Sequence, residues 1–296
     1  MARTLALAQV TGRRRAGVSA TQVPPHAYFV VSALFHYLGP SFAVLLFARV
    51  QVLGVAWLRI VSAALIFALW RRPWRAFPGL DRAGRRLLIG WGVVLALMNC
   101  CFYMAISRLP LGTVAAIEFL PVIALAALGV RSPRNVLALL MVVPGVYLLT
   151  DVRLAGALVG FLLAFTNAAL FATYIVLAHK VAQRPQLSGI DGLAGAMLIA
   201  AVAITPIGGS HVIHAVGDPV ALLAGAGVGL SSSVIPYVTD QLAMARLPRA
   251  TYATMVALLP ALATIIGVIV LAQIPTWVEI AGIALVIAGV ALHRPS

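Results

Sequence analysis

Ten apolar stretches, at roughly 27–48, 52–70, 87–107, 112–130, 134–150, 156–178, 190–208, 219–243, 250–272 and 277–293, follow one another with only short polar connections. This pattern leaves few folds open. In hydrocarbon every backbone amide must find its partner within the chain, so each stretch has to be a helix. Spanning takes about 20 residues, and several stretches fall short of that, which leaves their ends soft by a few residues. The composition agrees: 62% of the 296 residues are hydrophobic, 9% are charged, and mean hydropathy is +1.06. A soluble domain of this length carries far more charge. The expected fold is an all-α polytopic membrane protein with ten transmembrane helices.

The net charge of +14 would suggest nucleic acid in a soluble protein, but here the basic residues sit in the loops between apolar runs. No nucleic-acid partner is expected. The bilayer is the partner the pattern demands, and topology explains the charge. With ten spans both termini lie on one side. That side collects 17 of the 21 Lys and Arg residues, including Arg13-Arg14-Arg15, the loop from Arg71 to Arg86, Lys180, Arg184, Arg246 and Arg294. The other side holds Arg49, Arg108 and Arg153, and Arg59 lies inside span 2. Both termini are therefore expected in the cytoplasm, with residues 1–25 as a cytoplasmic tail.

Two hinges resemble each other. Arg108-Leu-Pro, with Thr113 and Pro121 after it, recurs 138 residues later as Arg246-Leu-Pro, with Thr251 and Pro260. Five spans per half is odd, so the second half must enter the membrane from the opposite side. The expectation is two inverted-topology five-helix repeats, at 28–150 and 156–293.

A charge in the bilayer centre costs about 2.5–3.5 kcal/mol on insertion scales, so it usually meets a partner or a cavity. Arg59, Glu118 and Asp240 are the candidates inside spans. Glu118 could hold a substrate amine or a proton, or could only pair with Arg59 or another donor to fix packing. Asp240 could couple ions or simply be solvated near an interface. Arg59 could hold a substrate carboxylate, snorkel outwards or pair structurally. Asn99 and Tyr103 share one helix face, as do Ser32 and His36. Asn167 and Tyr174 lie seven apart on span 6, and Thr251 and Thr254 lie on span 9. Each alone suits helix packing; together they would line a moderately polar cavity. His36 also titrates near neutral pH, which would suit proton coupling, although packing serves it equally. Ser231-Ser-Ser-Val-Ile-Pro-Tyr237 breaks span 8 at Pro236 and reads as a pathway lining that includes Tyr237. Gly145, Gly282 and Gly289 suit close helix contact, the last two at the spacing of an interface, with a second copy of the chain (a homodimer) as one candidate partner.

No enzyme is indicated. The chain lacks a phosphate-cradling glycine loop, a metal-ligand spacing and a nucleophile elbow, so no metal or cofactor is expected. Cys100 and Cys101 are adjacent within an apolar run, a poor arrangement for a disulfide. Gly208-Gly-Ser-His211 reads as a loop beside Pro206. No loop is long enough for an ATP-binding domain, so transport would draw on an ion gradient or on facilitated diffusion.

The segments Trp57-Leu-Arg-Ile, Ala116-Ile-Glu-Phe-Leu-Pro121, Ser232-Ser-Val-Ile-Pro-Tyr237 and Arg246-Leu-Pro resemble the EamA-type members of the drug/metabolite transporter superfamily, over about residues 28–292. Within it they look most like the threonine/homoserine exporters of bacterial inner membranes. The resemblance implies ten helices, a bacterial inner-membrane location and export of a small metabolite such as threonine or homoserine, with protons as the coupling ion. On that reading Glu118, Arg59, Asn99, Tyr103, Asn167, Tyr174, His36 and Tyr237 contact substrate, and Glu118 and Asp240 carry the coupling. The chain departs from those exporters at Leu259, where they carry a Glu before the proline, and at Asp240, where they carry a Glu. Export of other metabolites or of drug-like cations is the alternative. A non-transporting membrane scaffold is the alternative from another class.

Overall fold

The computed structural model describes residues 24–75, 77–120, 133–151, 154–184, 187, 190–244, 246–247, 255–256 and 258–292. The tail before residue 24, the second half of span 4, and Thr251 and Thr254 lie outside them. The described residues contain helices and no strand. They are α1 (Pro25–Leu46), α2 (Val52–Arg71), α3 (Arg82–Ile106), α4 (Leu111–Glu118), α5 (Pro133–Asp151), α6 (Leu154–Ala182), α7 (Ile190–Gly208), α8 (Pro219–Gly229), α9 (Ile235–Met244), α10 (Leu259–Leu271) and α11 (Trp277–Leu292). Six helical stretches are long and apolar enough to cross a membrane, and α5, α10 and α11 are shorter apolar helices.

The helix ends follow local chemistry. Asp81 caps α3 by accepting from Gly84 N at 2.7 Å, and Asp218 caps α8 by accepting from Val220 N and Ala221 N. Thr276 and Glu279 form a reciprocal box at the start of α11. Thr276 N donates to Glu279 Oε2 at 2.8 Å, and Glu279 N donates to Thr276 Oγ1 at 3.2 Å.

Many apolar side chains stay on the outside: Leu69 is 78% exposed and Ile269 76%, which in water would be costly and in lipid is expected. Small residues set the contacts. A Cβ on Gly145 would lie 2.8 Å from the Gly282 carbonyl, and one on Gly282 would lie 2.8 Å from the Gly145 carbonyl. Thus α5 and α11 touch backbone to backbone. Gly289 faces Val142 and Ala138 of the same helix, so the Gly282/Gly289 stripe expected as an interface is used within the chain.

The helices interleave. α3 packs on α6 and α7, α2 on α7 and α8, α1 on α9 and α10, α4 on α10, and α5 on α11. Two ion pairs close one end of the bundle: Arg71 Nε with Asp191 Oδ1 at 2.7 Å, and Arg184 Nη1 with Asp81 Oδ1 at 2.7 Å. This end carries the arginine-rich loop 71–86. Arg49 pairs with Asp218 at the other end, at 3.1 Å.

Candidate functional site

The break in span 8 is the centre of the site. α8 passes into α9 through one π turn, Leu230–Val234. Pro236 follows without an N–H. Arg59 of α2 holds the turn from the side: Nη2 donates to Ser232 O at 2.9 Å, and Nε donates to Ser233 Oγ at 3.0 Å. Arg59 is 6% exposed, and its guanidinium carbon lies 5.4 Å from the centre of the Tyr103 ring. α1 closes the other side. Ser32 Oγ donates to Pro236 O at 3.0 Å, and Gly39 is so near that a Cβ there would lie 2.7 Å from Ser232 Cα.

Glu118 ends α4 with 6% exposure. Its Oε1 accepts from Asn167 Nδ2 of α6 at 3.1 Å. Arg59 is within electrostatic reach, but among the described residues no ion pair joins the two. The sequence left Arg59 or another donor open as the partner of Glu118, and the partner is Asn167. Around these groups Tyr37 Oη, Tyr103 Oη, Asn167 Oδ1 and Ser232 Oγ are buried without a hydrogen-bond partner among the described residues. Tyr37 is within electrostatic reach of Glu118. An unsatisfied buried polar atom costs about 1–3 kcal/mol, so four around the Glu118–Asn167 hydrogen bond make a polar chamber rather than packing alone.

A cavity of about 530 Å³ lies beside this chamber, in the half of the bundle nearer loop 71–86. His36, Tyr174, Tyr237 and Asp240 line its wall, whereas Arg59, Asn99, Tyr103, Glu118 and Asn167 do not. Phe119 and Phe171 form that wall with ring centres 6.1 Å apart, Phe171 stacks on Tyr174 at 6.2 Å, and Trp91 lies 5.6 Å from Tyr174. Asp240 is half-buried on the cavity, within electrostatic reach of Tyr174 and Tyr237. The expected site residues therefore divide into a cavity group and a chamber group. Asn99 stands apart, because its amide donates to Leu95 O of its own helix at 2.8 Å. The aromatic wall of Trp91, Phe119 and Phe171 was not foreseen; Phe119, next to Glu118, was the one member a reader of the sequence could have suspected. Gly208-Gly-Ser-His211 runs from the end of α7 into a 3₁₀ turn at Gly209–Ala215.

Residues 158–293 match the EamA-like transporter family. The chain is 31% identical over 257 residues to the threonine/homoserine exporter RhtA of Salmonella typhimurium strain LT2, covering 84% of each chain. It is 31% identical over 254 residues to the RhtA of Escherichia coli K12, again covering 84% of each. A crystal structure of a protein 18% identical aligns with 90% of this chain and 97% of its own at a TM-score of 0.58, which speaks for the fold. The relatives are transporters, and the apolar helices are those of a multi-pass membrane protein. The chain belongs to the EamA-type drug/metabolite transporters.

Proposed function

We propose that this membrane exporter of small metabolites moves an amino acid such as threonine or homoserine out of the bacterial cytoplasm, coupled to protons and by alternating access. One observation carries the reading: the buried Glu118–Asn167 pair, ringed by hydroxyls with no partner among the described residues, sits beside a ligand-sized cavity. Substrate enters that cavity from the arginine-rich side, which is cytoplasmic by the distribution of Lys and Arg. Tyr174, Tyr237 and His36 contact its body. Glu118 exchanges a proton for the substrate ammonium, Asp240 is a second coupling group at the mouth, and Asn167, Tyr103, Asn99 and Arg59 shape the chamber. Protons are thus partners, and a single copy suffices for this cycle. A homodimer would have to use faces other than Gly282 and Gly289.

In this reading ten helices form two inverted repeats, 28–150 and 156–293, with both termini cytoplasmic in the inner membrane. The helix pairings support it. Exchanging α1–α5 with α6–α11 turns the α3–α6 contact into α8/α9 with α1, and α3–α7 into α8 with α2. It leaves α2–α7, α4–α10 and α5–α11 as self-paired. A cycle of this kind follows from such pseudo-symmetry when the two halves trade conformations.

The aromatic lining favours a second reading: a bulkier, apolar or cationic substrate, held over Trp91, Phe171 and Tyr174 with Asp240 near its charge. Reconstituted vesicles decide between the two. Threonine or homoserine uptake driven by an imposed pH gradient supports the first. Accumulation of an aromatic amine with no response to threonine supports the second. No flux of either kind sinks both and leaves a scaffold. Outside labelling of single cysteines in 71–86 tests the topology, and efficient labelling there overturns the inverted repeat.

A further inference from the structure

A second cavity lies at the opposite end of the bundle. It measures about 360 Å³ and is walled by the end of α1, the α3–α4 connection, the first turn of α4, and the segment from Gln273 to Ile283. Pro110 begins α4 and supplies no cap, and the first three amides of the helix lack acceptors within it. One of them is satisfied from afar: Leu111 N donates to Gln273 Oε1 at 3.0 Å. The amides of Gly112 and Thr113 have no partner among the described residues. Both residues line the cavity. Thr113 is 3% exposed, and its hydroxyl makes no hydrogen bond among the described residues. Arg108 adds a cation on the same side, while Glu279 adds a buried carboxylate across the cavity, already accepting from Thr276 N and Oγ1.

Two open amides at a helix N-terminus, an open hydroxyl and a guanidinium make one end of this cavity fit an anion of carboxylate size. The acidic wall opposite fits an ammonium. The volume lies at the small end of ligand pockets. We propose that this cavity is a second binding site, for the zwitterion of a small amino acid, on the face of the membrane opposite the central cavity. Only the choice of amino acid rests on the exporter reading. In an export cycle the site receives the substrate after it leaves the chamber. The carboxylate is held by Gly112 N, Thr113 N, Thr113 Oγ1 and Arg108, and the ammonium faces Glu279.

The test is a fluorescence titration of the full chain in nanodiscs. Ile274 lines the rim and is 80% exposed, so Ile274→Cys, with Cys100 and Cys101 replaced by Ser, carries an environment-sensitive dye. L-threonine, acetate and ethanolamine are the probes. Saturable response to L-threonine, weaker response to acetate and none to ethanolamine is expected. Arg108→Gln and Thr113→Val should each weaken L-threonine at least tenfold, while Gly217→Ala, at a position with nothing within 4 Å, should leave it unchanged. A response that survives both substitutions, or is lost with Gly217→Ala, overturns the second site, as does the absence of any saturable response. The titration does not depend on flux. Failure of threonine transport with the dye response intact would remove the exporter reading and leave the site. Transport without the response would do the reverse.

Discussion

Arg59 donates to the Ser232 carbonyl at 2.9 Å, within the π turn that precedes Pro236. A charge from α2 thus hydrogen-bonds to a break in another helix, 173 residues away. Removing it takes a charged donor away from a buried carbonyl and a buried hydroxyl. Arg59→Gln should lower the stability of the purified protein by about 1–3 kcal/mol, read as its thermal midpoint. Ser233→Ala should cost about 1 kcal/mol. The double variant should fall short of the sum by about 0.5 kcal/mol or more, because the two residues share one contact. Full additivity would mean that Arg59 acts elsewhere.

The Gly145–Gly282 contact admits no side chain. Gly145→Ala puts a methyl 2.8 Å from the Gly282 carbonyl, and the helices must part. A loss of about 1–3 kcal/mol is expected, with α5 and α11 becoming protease-sensitive first. Gly217→Ala is the control. Nothing lies within 4 Å of that position, so the change should be neutral or stabilise by up to about 1 kcal/mol. Equal effects at both sites would contradict the contact.

Much of this was legible in the chain. Among the described residues hydropathy placed several helices closely, because lipid leaves the backbone no other choice: the stretch read at 190–208 is Ile190–Gly208, and that at 277–293 is Trp277–Leu292. Glu118 and Arg59 stood out because a charge in an apolar run is rare. Their partners did not, since Asn167 and Ser232 are distant in sequence and common in type. The Ser-rich break before Pro236 was visible, but not the π turn, which depends on Gly39 and Arg59 closing on it from two other helices. Thr276 and Glu279 carried a readable capping pattern that was passed over. The second cavity left no signal, because four separate segments build it.

Asp81 offers a pH test outside the membrane. Arg184 donates to it at 2.7 Å, and Gly84 N does so at 2.7 Å. Both favour the carboxylate, Arg184 the more, and hold the carboxyl below its ordinary value of about 3.9. The contribution to stability is therefore complete above that ordinary value and is lost as pH falls through the lower folded one. Asp81→Asn keeps a cap but cannot pair. Thermal midpoints of wild type and variant, compared from pH 6 downwards, should differ at the upper end and draw together as pH falls below the ordinary carboxyl value. A constant difference would show that ionisation of Asp81 plays no part.

Glu118→Gln separates coupling from packing. Glutamine keeps the size of the side chain and an oxygen that can accept from Asn167 Nδ2, now 3.1 Å from Glu118 Oε1. It cannot titrate. If Glu118 exchanges proton for substrate, the variant should insert and fold as wild type does, within about 0.5 kcal/mol, yet lose pH-driven flux. Exchange of substrate across the vesicle without a pH gradient separates two cases: its survival means that only coupling was lost, and its loss means that the ammonium also needs the charge. Asn167→Ala makes the converse change. It removes the hydrogen bond and leaves a buried carboxylate unsupported, so stability should fall by about 1–3 kcal/mol before any change in pH dependence. A purely structural pair predicts the opposite order for Glu118→Gln, with stability falling and flux per folded molecule unchanged. Normal transport with unaltered pH dependence would remove Glu118 from the coupling step, and the same pair of measurements would then pass to Asp240, the carboxylate at the mouth of the central cavity.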